Sequence, residues 1–307
     1  MPEPVSTELS RLFALRAHEP DRAATREELL AGAACSEGLM VMLTDGVDAK
    51  LLDAAADLRV VANYAVGFDN VDVAAATERG VVVANTPDVL TEATAELTLA
   101  LVLDVVRRLS EGDRLVRSGE RWEWSPTFML GRGLSGRTLG IVGLGRIGSA
   151  VARLGSSLGM EVVHSGGSGP YERVDLPELL ARSDVVSLHC ALNPETRHLI
   201  GPAELRAMRK DAVLVNTSRG PVVDEAALAD ALAAGEIAGA GLDVYEREPE
   251  VTEALRALTN VVLAPHLGSA TEEARVAMGM LCVEALRAVL LEGRAPRNAL
   301  NPEALRH

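Results

Sequence analysis

Aromatic residues, lysine and positive net charge are all scarce in this sequence. Aromatic side chains make up 3% of the 307 residues, although apolar residues as a whole make up 48%. Lysine occurs only as Lys50 and Lys210, and 44 acidic residues against 30 basic ones give a net charge of −14. Because nucleic acids and anionic membranes are bound through basic faces, this balance argues against both as partners.

Cysteine and long apolar runs are also scarce. The three cysteines, Cys35, Cys190 and Cys282, are far apart and odd in number, so we predict neither a disulfide framework nor a metal site and expect buried free thiols. The longest apolar window, residues 97–106, is interrupted by Asp104 and is too short to span a bilayer. No secretory signal is recognisable, so the expected location is the cytoplasm.

The sequence does contain a regular alternation of strand-like and helix-like segments. Short runs rich in β-branched residues occur at 38–43, 59–64 and 81–85, and an amphipathic segment follows from Thr91 to about Arg117. Six further runs follow at 138–145, 161–165, 185–189, 212–216, 239–244 and 260–265. This alternation predicts an α/β fold with parallel sheets, and six strands are enough for a doubly wound nucleotide-binding sheet.

A glycine-rich hexamer, GLGRIG at 143–148, follows the first run of the second set and opens a helix-like segment. In a G-x-G-x-x-G loop, Gly143 permits a tight turn, Gly145 lets a pyrophosphate approach the backbone, and Gly148 allows close packing of the helix. The helix N-terminus adds free N–H groups and partial positive charge. This context predicts that the loop binds a dinucleotide.

The choice between NAD and NADP depends on the end of the next strand, which reads His164-Ser165-Gly166-Gly167-Ser168. No carboxylate is present there to bind a ribose 2′-hydroxyl, which favours NADP, and no arginine stands immediately alongside to bind a 2′-phosphate, which weakens that preference. NADP is slightly favoured, NAD stays open, and Ser165, Gly166 and Gly167 are predicted cofactor contacts. The glycine-rich patch leaves little room for a full crossover helix and a strand, so we expect a shortened or remodelled loop.

Three polar residues follow consecutive strands of the second set. Arg219 comes after the run at 212–216, Glu248 after 239–244, and His266 after 260–265. In a doubly wound sheet, ligands bind beyond the carboxyl ends of the strands, so these side chains are expected to converge on one crevice. Each alone is compatible with a structural role, but together and beside a dinucleotide loop they predict a catalytic site.

Six ordered blocks along nearly the whole chain carry a family resemblance: YAVGFDNVD (64–72), NTPDVLTEATAE (85–96), GRTLGIVGLGRIG (136–148), NTSRGPVVDE (216–225), AGAGLDVYEREP (238–249) and APHLGSAT (264–271). Together they resemble the D-isomer-specific 2-hydroxyacid dehydrogenase family. Within that family the segments 63–70, 117–131 and 265–271 look most like the glyoxylate/hydroxypyruvate reductases.

The resemblance implies an enzyme that reduces small 2-keto acids with NAD(P)H. It makes His266 the acid/base, a role suited to an imidazole that titrates near neutral pH. Glu248 would orient the imidazole and favour its protonated form. Arg219 would hold the substrate carboxylate and polarise the ketone. Backbone N–H groups around Val66 and Gly67 would hold the other side of the carboxylate.

The resemblance also implies the remaining cofactor contacts. These are Leu144, Arg146 and Ile147 with the loop glycines at the pyrophosphate, Thr217 and Ser218 beside Arg219 at the nicotinamide, Asp243 near the nicotinamide amide, and Gly268 in the turn that follows His266.

We predict a Rossmann dinucleotide-binding domain over residues 91–271 and a smaller, flavodoxin-like substrate domain from 1–90 and 272–307. The resemblance implies a homodimer with an arm around 109–135, in which one of Trp122 and Trp124 closes the partner's substrate pocket.

The chain departs from the family near its start, where the first strand of the small domain is expected to be missing. We expect a helix from the end of the 264–271 block to Leu290 and a polar tail lying along the surface. Three alternatives stay open: a dehydrogenase of larger D-2-hydroxy acids, a D-3-phosphoglycerate dehydrogenase, and a non-enzymatic nucleotide sensor on the same fold.

Overall fold

The computed structural model describes residues 1–18 and 22–305. The chain separates into two compact units, one from Met1–Leu90 and Ala270–His307 and the other from Thr91–Ser269. The division predicted from the sequence falls after residues 90 and 271.

The strands of the described chain are β1 Gly38–Val41, β2 Val60–Asn63, β3 Val82–Ala84, β4 Thr138–Leu144, β5 Glu161–Gly167, β6 Glu172–Arg173, β7 Val185–Leu188, β8 Val213–Asn216, β9 Gly239–Leu242 and β10 Val261–Leu263. The α-helices are α1 Glu3–Leu12, α2 Arg26–Ala33, α3 Ala49–Ala54, α4 Val73–Glu78, α5 Thr91–Arg107, α6 Leu109–Ser118, α7 Arg146–Ser157, α8 Leu176–Arg182, α9 Pro202–Ala207, α10 Glu225–Ala233, α11 Glu253–Arg256 and α12 Glu272–Leu290. Short 3₁₀ helices cover Gly220–Val222 and Pro302–Ala304.

The smaller unit is built on a parallel sheet in the order β1-β2-β3. In residues 1–18 and 22–37 the chain forms helices α1 and α2 and no strand. Helix α1 packs closely on α12. A Cβ added at Gly279 of α12 would lie only 2.4 Å from the Val5 side chain of α1. A glycine at that point allows the two helices to approach.

The C-terminal tail does not simply lie along the surface, so that prediction is wrong for the segment around residue 301. The backbone N–H of Leu300 donates to the carbonyl of Val83 at 2.7 Å, and the Asn301 side chain accepts from Val83 N–H at 2.7 Å and donates to Val81 at 2.9 Å. Asn301 is 1% exposed. Strand β3 is an edge strand, and the tail satisfies backbone groups that would otherwise lack partners.

The larger unit contains a parallel sheet in the order β10-β9-β8-β7-β4-β5-β6. The strand order reverses at β4, which is the first strand of this sheet along the chain and carries the start of the glycine loop. This is the arrangement of a doubly wound Rossmann sheet, whose ligand crevice lies at the reversal point. The predicted α/β fold and parallel sheets are confirmed.

The connection after the glycine-rich patch is shortened, as expected, but it still contains both a strand and a helix. Strand β5 continues to Gly167, a short connection follows, and β6 pairs in parallel with β5 at its outer edge. The seven-residue helix α8 then leads to β7. The sheet therefore gains a short edge strand beyond the six predicted.

The long amphipathic segment predicted after Thr91 is two helices, α5 and α6. The break is at Arg108, which adopts a left-handed backbone conformation with φ 56°. The Asp104 carboxylate accepts hydrogen bonds from the Ser110 N–H at 2.7 Å and the Ser110 hydroxyl at 2.5 Å. These hydrogen bonds stabilise the first turn of α6, so the new helix begins here.

The cysteines are free, but they are not all buried as expected. Cys35 is exposed and Cys190 is half-buried, whereas Cys282 is buried in α12. Burial raises the pKa of the Cys282 thiol to about 12. No helix in the described residues combines the length and the apolar composition needed to cross a membrane.

Candidate active site

Three neighbouring strands of the larger sheet, β8, β9 and β10, present their carboxyl ends at the same edge. Arg219 follows β8, Glu248 follows β9 and His266 follows β10. Residues far apart in the sequence therefore meet at the edge where doubly wound sheets bind ligands.

His266 and Glu248 form a hydrogen-bonded pair. The His266 Nδ1 lies 2.7 Å from the Glu248 Oε2, and both side chains are about a quarter exposed, at 26% and 23%. The other carboxylate oxygen, Oε1, accepts from the Tyr245 N–H at 3.0 Å. Since Nδ1 is engaged by Glu248, Nε2 is the nitrogen left to exchange a proton with a substrate.

Electrostatics keep Glu248 ionised. Burial by itself would raise the pKa of its carboxyl, but the hydrogen bond and charge of His266, the Tyr245 N–H and the charge of Arg219 outweigh burial and leave the pKa below its ordinary value. A carboxyl with a lowered folded pKa contributes stability above its ordinary pKa and loses it as pH falls through the folded value. The Glu248 carboxylate is therefore expected to stay ionised at neutral pH and to become protonated only in acid.

The turn that carries His266 is held by Asp243. The Asp243 carboxylate accepts from the N–H groups of Leu267 at 2.6 Å and Gly268 at 2.8 Å, and its carbonyl accepts from the His266 N–H at 2.9 Å. His266 itself has φ 55°, a left-handed conformation that is costly without such support. Burial raises the pKa of the Asp243 carboxyl, with a contribution from the charge of Glu248.

Both oxygens of Asp243 thus accept backbone N–H groups of the His266 turn, a role that the sequence did not predict. Gly268 belongs to the same structure, because its carbonyl accepts from the Thr94 hydroxyl at 3.0 Å. The predicted contacts of Asp243 and Gly268 with a cofactor stay predictions.

Arg219 lies in extended backbone directly before a 3₁₀ turn that touches the Glu248 loop. The Arg219 carbonyl accepts from the Asn216 side chain at 2.9 Å, and its guanidinium donates to the Ser218 carbonyl at 2.9 Å. A Cβ at Gly220 would lie 1.9 Å from the carbonyl carbon of Tyr245. Only glycine allows the Arg219 segment to approach the Glu248 loop this closely.

The glycine loop meets the geometric requirements of a dinucleotide site. Gly143 has φ 94°, and a Cβ there would lie 2.7 Å from the backbone nitrogen of Cys190. A Cβ at Gly148 would lie 2.3 Å from the Gly143 carbonyl oxygen, whereas one at Gly145 would have no atom within 4 Å. Gly145 therefore borders open space at the N-terminus of α7, where a phosphate can approach backbone N–H groups.

The other predicted cofactor residues lie on this edge, some of them with partners within the protein. Leu144 ends β4, and Arg146 and Ile147 begin α7. Thr217 shares a 2.8 Å hydrogen bond with the Thr98 hydroxyl, and Ser218 donates to the Asn216 side chain through both its N–H and its hydroxyl.

The end of β5 curves through two left-handed residues. Gly166 and Gly167 both have φ 76°, and a Cβ at Gly167 would clash with the Leu144 backbone, so a side chain there is excluded by space as well as by conformation. Ser165 pairs in register with Val142 of β4. The contact of Ser165, Gly166 and Gly167 with the cofactor stays a prediction.

Val66 and Gly67 belong to the smaller unit and follow β2. The Asn85 side chain donates to the Val66 carbonyl at 2.7 Å, and the Asn63 side chain donates to the Gly67 carbonyl at 2.8 Å. Both carbonyls are thus held by asparagines, which fixes the peptide orientation. The predicted use of their N–H groups for a substrate carboxylate stays a prediction.

Tyr245 is a site residue that the sequence reasoning missed. Its hydroxyl donates to the Ala264 carbonyl at 2.9 Å, and its N–H binds Glu248, so it connects the loop after β9 with the turn after β10. Its place in the VYEREP block beside Glu248 was the available signal, but only the fold shows which partner its hydroxyl reaches.

Comparison with known proteins agrees with this architecture. Residues 99–268 match the family model described as D-isomer specific 2-hydroxyacid dehydrogenase, NAD binding domain. The chain is 46% identical to a glyoxylate reductase of Thermococcus litoralis over 97% of this chain and 93% of that protein. It is 48% identical to a glyoxylate reductase of Aeropyrum pernix over 91% and 87% of the two chains.

Solved structures are similar over almost the whole chain. A crystal structure of a Thermus thermophilus protein superimposes with a TM-score of 0.92 at 45% identity, covering 98% of this chain and 97% of that one. An NADPH-dependent glyoxylate/hydroxypyruvate reductase of Sinorhizobium meliloti, in complex with NADP and malonate, superimposes with a TM-score of 0.86 at 34% identity, covering 100% and 96%. The chain therefore belongs to the D-isomer specific 2-hydroxyacid dehydrogenase family.

Proposed function

We propose that this protein is an NAD(P)H-dependent reductase of small 2-keto acids, with glyoxylate and hydroxypyruvate as preferred substrates. The observation that carries the proposal is the His266–Glu248 pair at 2.7 Å, on the same sheet edge as Arg219 and the glycine loop. The names of the relatives, glyoxylate reductase and glyoxylate/hydroxypyruvate reductase, support this substrate class.

Arg219, His266 and Glu248 have separate roles in the reaction. When bound, a reduced nicotinamide would supply the hydride for the keto carbon. Arg219 binds the substrate carboxylate and polarises the ketone through charge-assisted hydrogen bonds. His266 delivers the proton to the ketone oxygen from Nε2, and the negative charge of Glu248 stabilises the imidazolium before transfer. The product is a 2-hydroxy acid, of D configuration where the new centre is chiral.

The test is the initial rate of NADPH and NADH oxidation with glyoxylate, hydroxypyruvate, pyruvate and phenylpyruvate. We expect the first two acids to give the highest kcat/KM. A preference for phenylpyruvate would indicate a dehydrogenase of larger D-2-hydroxy acids. Dinucleotide binding with no reduction of any of the four keto acids and no oxidation of D-3-phosphoglycerate would contradict the proposal and favour a nucleotide sensor.

NADP is proposed as the preferred cofactor over NAD. Residues 165–169 contain no carboxylate to repel a 2′-phosphate, and Ser165 and Ser168 provide hydroxyl donors. The pairing of β6 with β5 sets the exposed Arg173 beside His164, immediately before Ser165. This arginine, distant from the glycine loop in sequence, supplies the basic group that the sequence around Ser165 lacks.

The Arg173→Gln variant should lower affinity for NADPH by about 10- to 100-fold and leave affinity for NADH unchanged, because a charge-assisted hydrogen bond to phosphate is worth roughly 1.5–3 kcal/mol. Calorimetry of 2′,5′-ADP and 5′-ADP binding tests the same contact without turnover, because only the first ligand carries the 2′-phosphate. An unchanged ratio between the two ligands would remove Arg173 from the 2′ site.

A homodimer formed through the arm at 109–135 is also proposed. Helix α6 buries none of its residues, and Leu109, Val116, Trp122 and Trp124 are 68%, 65%, 50% and 78% exposed. Trp122 stacks on Phe128 with ring centroids 5.7 Å apart and ring planes 11° from parallel. Exposed large apolar side chains are typical of protein–protein interfaces.

Sedimentation velocity should give the mass of a dimer at micromolar concentration. The Leu109→Asp variant should shift the equilibrium towards monomer, whereas Leu15→Asp, at an exposed leucine in the smaller unit, should not. A wild-type monomer at these concentrations would contradict the proposal.

A further inference from the structure

A buried carboxylate stands behind the catalytic pair without belonging to it. Glu225 is the first residue of α10 and is 8% exposed. Its Oε2 accepts from the Glu246 N–H at 3.0 Å, and its Oε1 accepts from the Thr252 N–H at 2.9 Å and also from the Thr252 hydroxyl. Burying a carboxylate is costly, and these donors offset that cost.

The donors lie at the two ends of one segment, residues 246–252, which contains Glu248. The Glu225 carboxylate therefore binds both ends of the loop that contains Glu248, the hydrogen-bond partner of His266. Removal of one acceptor oxygen from Glu225 would leave one loop N–H without its partner and loosen that end of the loop. The Glu248 Oε2 would then no longer be held 2.7 Å from the His266 Nδ1.

A second set of contacts ties this loop to the segment that carries Arg219. The Glu225 N–H donates to the Glu246 Oε1 at 3.0 Å, which reciprocates the bond from the Glu246 N–H. The same Glu246 oxygen lies 2.9 Å from the His198 Nε2. The His198 N–H donates to the Pro221 carbonyl at 2.8 Å, two residues after Arg219.

We propose that Glu225, Glu246 and His198 form a positioning network that holds Glu248 on His266 and fixes the Glu248 loop against the Arg219 segment. Glu225 is the central member, because it is buried and binds both ends of the loop. The network acts through Glu248 and does not touch the substrate. This inference rests on the proposed reductase function, since it assigns Glu248 the task of stabilising the His266 imidazolium.

The first test is the Glu225→Gln variant, which keeps the shape of the side chain but replaces one acceptor oxygen with a donor. We expect kcat to fall about tenfold, since residues in one network couple by about 0.5–3 kcal/mol. The fall of kcat/KM with rising pH should begin at lower pH, as in Glu248→Gln. NADPH affinity should not change. A lower kcat with the wild-type pH profile would overturn the proposal.

Asp224→Ala is the matched control. Asp224 caps the same helix by accepting from the Ala227 N–H at 3.0 Å, and among the described residues its side chain makes no hydrogen bond or ion pair with the 246–252 loop. Its loss should lower the thermal midpoint through the missing cap without moving the pH profile. Glu225→Gln should move the profile.

A double-mutant cycle decides whether Glu225 acts through Glu248. In a Glu248→Gln background, Glu225→Gln should have less than about a twofold further effect on turnover. Fully additive losses would overturn the proposal. If Glu225→Gln does not fold, Thr252→Val removes one of the same bonds and should move the pH profile in the same direction by a smaller amount. An unmoved profile would overturn the proposal.

A separate measurement distinguishes failure of the positioning network from failure of the proposed reductase function. NMR titration of the His266 imidazole in ¹⁵N-histidine-labelled protein needs no substrate, and the signal is assigned by its loss in His266→Asn. Glu225→Gln should shift this titration towards that of Glu248→Gln. An unshifted titration would overturn the network, whereas absence of keto-acid turnover in the wild type would overturn only the reductase proposal.

Discussion

The His266→Asn variant is expected to lower kcat for glyoxylate reduction by about 10²–10⁴-fold, the contribution of a positioned general acid. Asparagine is chosen because His266 has φ 55°, and asparagine tolerates a left-handed backbone better than alanine. The amide can donate a hydrogen bond to the ketone oxygen, but it cannot give up a proton at neutral pH. Single-turnover oxidation of NADPH measures the chemical step directly.

Cofactor affinity serves as the internal control for this variant. NADPH binding, followed by fluorescence, should stay within about twofold of wild type, because the loss should fall on kcat rather than on binding of the cofactor. His18→Asn, at an exposed histidine of the smaller unit, should leave both quantities unchanged. Near-normal turnover in His266→Asn would exclude His266 as the acid.

The Arg219→Gln variant should lower kcat/KM for glyoxylate by about 10²–10³-fold, since a group that polarises the reacting carbonyl contributes on this scale. Arg219→Lys should recover part of the loss. Lysine restores the charge, but it cannot present the planar pair of donors that fits a carboxylate. Because arginine binds the substrate carboxylate before reaction, KM should rise as well as kcat fall.

A matched variant separates this effect from a general loss of positive charge. Arg206→Gln removes an exposed arginine from α9 in the same unit and should leave kcat/KM unchanged. Full recovery of activity in Arg219→Lys would show that charge alone is sufficient and that no paired hydrogen bonds are made. An undiminished kcat/KM in Arg219→Gln would exclude Arg219 as the carboxylate anchor.

Local patterns in the sequence determined the fold class and the members of the candidate site. Strand and helix periodicity is a property of consecutive residues, so the α/β alternation and helix α12 could be predicted without tertiary information. The glycine loop is equally local, because the tight turn and helix start involve residues 143–148 alone. Arg219, Glu248 and His266 could be grouped because parallel strands share one edge for their carboxyl ends.

Only the tertiary structure decided the features that depend on contacts between distant segments. The tail around Asn301 docks on β3 because an edge strand needs partners, and the helix break at Arg108 follows from the side chain of Asp104. Arg173 comes beside His164 of β5 through strand pairing, and Glu225 meets the Glu248 loop 21 residues further along the chain. A buried polar group takes whichever partners the fold brings within about 3 Å, and no sequence period encodes that proximity.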